Sequence, residues 1–89
     1  MADETKRRAE SFCTSKTFSY VKEILRADRE NFYNGFIVKV FDDMIIFFDI
    51  VIKREFPILI DDIEVIEPSK KDMDFKTAWD IYEKAGGGK

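Results

Sequence analysis

Two adjacent aspartate pairs, Asp42-Asp43 and Asp61-Asp62, with Asp49 and Glu55 between them, are the residues of this chain best suited to direct chemistry. Brought to one end of a sheet, their oxygens would form the hard ligand set that Mg²⁺ or Ca²⁺ takes. Their spacing matches no EF-hand loop, and aspartates at turns accept hydrogen bonds from the local backbone. The turn role is the expected one, and no metal or other cofactor is assigned. The sequence contains no histidine, which removes Ser-His and Cys-His nucleophilic pairs and zinc-hydrolase motifs together. Cys13, between Phe12 and a Ser/Thr run, reads as a small passive hydrophobe rather than a reactive thiolate. The chain is therefore expected not to be an enzyme. A small carboxylate- or metal-dependent protein is the most distant alternative.

Two basic clusters, Lys6-Arg7-Arg8 and Lys70-Lys71, are the places where phosphate would be met, with Arg7, Arg8, Lys70 and Lys71 as the candidate contacts. Both are interleaved with acids, and a solvated surface is the expected role. The central region is clearly acidic: residues 35–67 hold three Lys/Arg against eight Asp/Glu, a charge of −5. A nucleic-acid platform draws much of its affinity from counterion release by a basic stripe, so this region alone would repel phosphate.

The elements that must position these residues follow from apolar pattern. Eighty-nine residues make one domain with a modest core. Hydrophobic residues at 45% and aromatics at 15% supply enough burial for a globular fold. Residues 1–16 are polar and read as a flexible N-terminus, with Ser15 or Thr17 as N-cap of a helix over residues 17–33, where Phe18, Val21, Leu25 and Phe32 recur at helical spacing. Asn34-Gly35 would end that helix. The runs GFIVKVF, MIIFFDIVIKR and FPILIDDIEVI, rich in β-branched and aromatic residues, predict an antiparallel sheet over residues 35–67. Their short connections demand hairpins. Residues 44–52 are apolar on both alternating faces, which predicts a central strand covered on both sides. Pro57 belongs at a strand start, an edge or a bulge. Asp72 or Asp74 is expected to cap a last helix over residues 72–85, with Phe75, Ala78, Trp79 and Tyr82 as its apolar stripe, and residues 86–89 read as a flexible tail.

This order of elements resembles the Sm-like and SH3-like small barrels over residues 18–68, with Gly35, Ile37, Val40 and Met44 falling where the Sm pattern has a strand glycine, alternating apolar residues and its loop methionine. The resemblance implies an α+β fold: an N-terminal helix, a strongly curved antiparallel sheet or small barrel of three to five strands, and a C-terminal helix. Ile45 stands at the base-reading asparagine and Glu64-Val65 replace the Arg-Gly step, so what carries over is shape rather than uridine recognition.

The aromatics exceed what one small core encloses, and some are expected at a surface. The function expected is a non-enzymatic, protein-binding or self-associating module, with Tyr20, Tyr33, Val38, Val51, Trp79 and Tyr82 as candidate interface residues. The alternative is an Sm-like RNA-binding protein, disfavoured by the acidic sheet. The charged stretch MADETKRRAE carries no secretory h-region, and the apolar run of residues 44–52 is far short of the roughly 20 residues of a membrane span. A soluble, cytoplasmic setting without membrane contact is expected.

Overall fold

The computed structural model describes residues 2–26 and 29–85. The element order is α1 (Ala2–Ser15), β1 (Ser19–Leu25), β2 (Arg29–Val40), β3 (Met44–Asp49), β4 (Arg54–Leu59), a 3₁₀ turn (Ile60–Asp62), β5 (Ile63–Pro68) and α2 (Phe75–Lys84). All strand pairs are antiparallel and the sheet order is β4-β3-β2-β1-β5.

The N-terminal third differs from the sequence expectation in both of its elements. Residues 2–15 are helical: Ala, Glu, Lys and Arg are strong helix formers, and Ala9, Phe12 and Cys13, at i, i+3 and i+4, face the sheet. The Ser/Thr run is its last turn, where the Ser15 hydroxyl donates to the Ser11 carbonyl (2.8 Å). Thr17 N–H donates to Phe12 O (3.0 Å), Lys16 N–H to Cys13 O (3.3 Å), and Lys16 sits at φ 56. This is a Schellman stop in which a lysine takes the left-handed position usually filled by glycine. Ser15 and Thr17 therefore end a helix instead of starting one.

Residues 17–33 form no helix but the β1-β2 hairpin, with Leu25 opposite Arg29 and Tyr20 opposite Asn34. The sequence here is compatible with helix or strand, because the face that β1 buries mixes polar and apolar residues: Ser19, Val21 and Glu23 are buried while Tyr20, Lys22 and Ile24 point the other way. Pairing on both sides of β1 decides between them. Asn34-Gly35 consequently lies in the middle of a strand. A Cβ at Gly35 would stand 1.7 Å from the Phe48 carbonyl oxygen, so glycine is required by the close approach of β3, not by a helix end.

β3 is shorter than its apolar run. Asp49 Oδ1 accepts from Val51 N–H and Asp49 O from Lys53 N–H, both at 2.8 Å, which folds residues 50–53 into a turn that leaves Val51 66% and Ile52 54% exposed. The strand is covered on both faces, but the centre of the sheet is β2. In α2, Asp74 Oδ1 accepts from Thr77 N–H (2.8 Å) and caps the helix, and the Thr77 side chain first, then its backbone N–H, holds the carboxyl below the usual range.

Two cores result. On the α1 side Ala9, Val21, Ile37, Ile45, Phe47 and Ile58 pack together, and on the α2 side Phe18, Phe36, Phe48, Ile50, Ala78 and Tyr82 do. The expected strongly curved or closed Sm-like or SH3-like barrel is not what forms. The sheet is open, with β4 and β5 as its edges and no ladder between them. A physical reason lies in Pro57. Ile60 N–H bonds Asp43 O (2.9 Å), so by the alternation of an antiparallel ladder Ile58 also bonds toward β3 and Pro57 turns its donor-less nitrogen outward. The expected tail at residues 86–89 lies outside the described residues.

Candidate functional site

The α2 side of the sheet is only half covered. α2 sits over Phe36 and Phe48, while the hairpin ends of β1 and β2 and the neighbouring part of β5 extend past it. Residues of one strand that alternate to that side are Tyr20, Lys22 and Ile24, and the register sets Asn34, Phe32 and Glu30 opposite them. Tyr20 and Phe32 stack at 6.3 Å with their planes 12° apart, and Phe32 is 55% exposed. Diagonal aromatic pairing across a strand pair explains the contact.

Lys22 lies beside this stack, with its ammonium 5.9 Å from the Phe32 ring centroid, 3.0 Å from Glu64 Oε1 and 3.4 Å from Glu30 Oε2. The hydrogen bond to Glu64 is the main cause that raises its pKa, with Glu30 adding to it. Its charge is thus already matched by two carboxylates. At the other end, a groove of about 360 Å³ is lined by Tyr20, Asn34, Glu67, Lys70 and Lys71. The Ser69 hydroxyl donates to Asn34 Oδ1 (2.6 Å) and accepts from Lys71 N–H (3.1 Å), which pins the lysine-bearing segment to β2. The resulting face carries a stack of half-buried Tyr20 on exposed Phe32, with Lys70, Lys71 and Glu67 at one end and Glu30 and Glu64 on Lys22 at the other.

No protein-family model, curated protein or solved structure matches this chain. The geometry is the whole basis for a functional reading.

The sequence candidates are divided by the fold. Tyr20 stands on the open face beside Lys70 and Lys71, which joins one expected interface residue to two expected phosphate contacts. Arg8 is elsewhere, 5.5 Å over the Phe12 ring on α1 and beside a second groove, and Arg7 is exposed on the same helix. The four basic residues therefore form no single patch. Tyr82 is buried and Val38 half-buried in the α2-side core, so neither is a free contact. Tyr33 packs on Phe56 and Phe47 and donates its hydroxyl to Glu23 Oε1 (3.0 Å). Burial first, then Glu23, pushes its pKa from 10.0 up to about 12. Trp79 is half-buried, with its ring 5.1 Å from Phe36 and the Lys16 ammonium 5.3 Å above it. Val51 is exposed in the β3-β4 turn, away from the stack in the register.

The aspartates whose contacts are seen serve the fold. Asp42 pairs with Lys6 (2.9 Å), which lowers its pKa, Asp43 O closes onto Ile60, and Asp49 builds the turn after β3. Among the described residues no group of three Cys, Asp or Glu lies close enough to hold a metal ion, and no helix is long and apolar enough to cross a membrane.

Lys22, Glu30 and Phe32 are site residues that a helical reading of residues 17–33 hid, and Glu64 joins them only through the pairing of β1 with β5. Tyr20 and Phe32 stand twelve positions apart and meet only because β1 and β2 form a hairpin. No alternation of apolar residues announces that hairpin, because the positions β1 buries are Ser19, Val21 and Glu23.

Proposed function

We propose that this chain is a non-enzymatic protein-interaction module and that its contact surface is the half of the sheet left open by α2. The observation that carries this reading is the Tyr20–Phe32 stack, in which Phe32 is exposed and Tyr20 half-buried. Amphipathic aromatics at the centre of a polar rim are the usual composition of a protein interface. The face has lysines at the Tyr20 end and glutamates around Lys22, so a two-fold axis through the stack would set each end against its opposite on a second copy. Self-association is the form this module takes in the present reading. The half-buried free thiol of Cys13 and the lack of a disulfide partner support a reducing, cytoplasmic setting.

Single-stranded RNA would also stack on Tyr20 and Phe32. Electrostatics favour protein: the cation nearest the stack is held by Glu30 and Glu64, and Glu67 stands beside Lys70 and Lys71. The test is sedimentation equilibrium at about 100 μM with wild type and Phe32→Asp, since a concentration-dependent equilibrium must be pushed toward the complex. A dimer that Phe32→Asp converts to monomer supports the reading. A wild-type monomer at that concentration, or submicromolar and base-dependent anisotropy with labelled RNA at about 0.15 M salt, would overturn it.

A further inference from the structure

The two sheet edges are not equivalent. β4 turns the donor-less nitrogen of Pro57 outward from its middle, which blunts it as a template for a further strand. β5 carries its proline at the end. Ser69 N–H donates to Phe18 O (2.8 Å), and the register continues as Tyr20 opposite Glu67 and Lys22 opposite Val65. Those pairs therefore bond toward β1, and alternation turns the N–H and C=O of Ile66 away from it, with Pro68 marking one end of the available ladder. The bulge between Val65 and Ile63, where Lys22 and Glu23 shift register, marks the other.

Ile66 opens into a groove of about 450 Å³ between β5 and α1, lined by Glu4, Thr5, Arg8 and residues 64–67. A helix lying along a free strand edge is the arrangement in which an extended peptide is held by main-chain bonds on one side and by helix side chains on the other. Glu4, Glu64 and Glu67 line the groove with one arginine; Glu64 also holds Lys22 and Glu67 also borders the Lys70–Lys71 groove, which leaves Glu4 as the acid that belongs to this groove alone. We propose that the β5 edge accepts an extended peptide segment bearing Lys or Arg as a sixth strand, with the groove acids selecting its basic side chains. This surface rests on the backbone of β5 and on α1, and it shares Glu64 and Glu67 with the rim of the aromatic face.

The experiment uses the ¹⁵N-labelled full chain and a blocked hexapeptide of alternating valine and lysine. Its control is the same peptide N-methylated at alternate residues, which keeps the charge and removes the donors. Saturable shifts centred on the Ile66 amide are expected, with affinity reduced about tenfold or more by N-methylation, the scale of one or two lost hydrogen bonds. Glu4→Lys, which touches neither the Lys22 pair nor the Tyr20 groove, should also weaken binding, and full affinity in that variant would remove the acids from the proposal. Equal affinity for the methylated peptide would show charge attraction only and overturn the proposal. Absence of shifts at about 1 mM peptide, or shifts at β4 or the Tyr20–Phe32 face, would overturn it too. Ile66 shifts that depend on protein concentration without peptide would assign the edge to a second copy instead.

Discussion

The helices cover the two faces of the sheet in different ways. α1 lies close along β2 and touches β5 and the 3₁₀ turn, with Ala9 fully buried at the contact, so helix and strand backbones approach each other over an aliphatic core of Val21, Ile37, Ile45 and Ile58. α2 reaches the other face through rings: Phe36 is 5.1 Å from Trp79, 5.6 Å from Tyr82 and 5.9 Å from Phe75, and Phe48 is 4.9 Å from Tyr82. A small residue at a contact permits close seating that resists any added atom. An aromatic layer holds a helix at a distance by large but fewer contacts. Both helices bury an alanine fully, Ala9 on α1 and Ala78 on α2, and the expectation from the ring-mediated contact is that α2 shifts more readily than α1.

The largest expected effect lies at the strand both faces share. Gly35→Ala would drive a Cβ into the Phe48 carbonyl, and we expect a loss above about 4 kcal/mol, seen as a chain without a cooperative urea transition. A stable, native-like variant would show that β2 and β3 can part without cost. Next, Phe47→Ala and Phe48→Ala, each nearly inaccessible on opposite faces, should each cost about 3 to 5 kcal/mol. A much smaller cost for Phe48 would mean that the α2-side core contributes little.

Enlarging the two buried alanines separates the faces more sharply. Ala9→Leu must wedge α1 from the sheet and should cost about 1 to 3 kcal/mol by overpacking. Ala78→Leu should cost less than half of that, because α2 can move outward. Equal losses in paired urea melts would contradict the distinction. Trp79, the sole tryptophan, lies on α2, so its fluorescence reports that helix while circular dichroism reports the whole chain. The fluorescence transition should come at lower urea, and Asp74→Ala, which removes the cap on Thr77, should move it further without moving the other. Coincident transitions would place α2 inside the single cooperative unit.

The smallest effect is alkaline. Tyr33, at the α1-side core, is held protonated up to about 12 against an ordinary 10.0. The folded state keeps this proton after the unfolded chain has released it, so stability is complete below about pH 10 and falls as pH rises toward 12. Tyr82 and Cys13 are also raised by burial and add to the decline. Urea midpoints across that window should fall less steeply in Tyr33→Phe than in wild type, and Tyr82→Phe should flatten the curve less. An unchanged slope in Tyr33→Phe would remove the Glu23–Tyr33 pair from the account.

Much of the C-terminal two thirds was legible along the chain. Alternation, Pro57 and the Asp74 cap are local signals, and β3, β4 and α2 appear where those signals put them, with β3 cut short by Asp49. The N-terminal third was not legible, because its signals are balanced. A polar stretch rich in good helix formers shows its stripe only through Ala9, Phe12 and Cys13. Residues 18–32 show helical spacing without a clean alternation, since β1 buries Ser19 and Glu23 beside Val21, and only pairing with β2 and β5 selects the strand. The aromatic site shared that ambiguity, since its two rings belong to different strands.

By itself the sequence determined that this chain folds, that it carries one acidic antiparallel sheet with a capped C-terminal helix, and that histidine chemistry is absent. These follow from composition and from periodicity within single segments. Only the tertiary structure decided that the sheet stays open with β4 and β5 as edges, that a helix covers each face, and that Tyr20 meets Phe32 beside Lys22. Each of those outcomes depends on which strands pair and in what register, and pairing energy between segments far apart in the chain is not written in either segment alone.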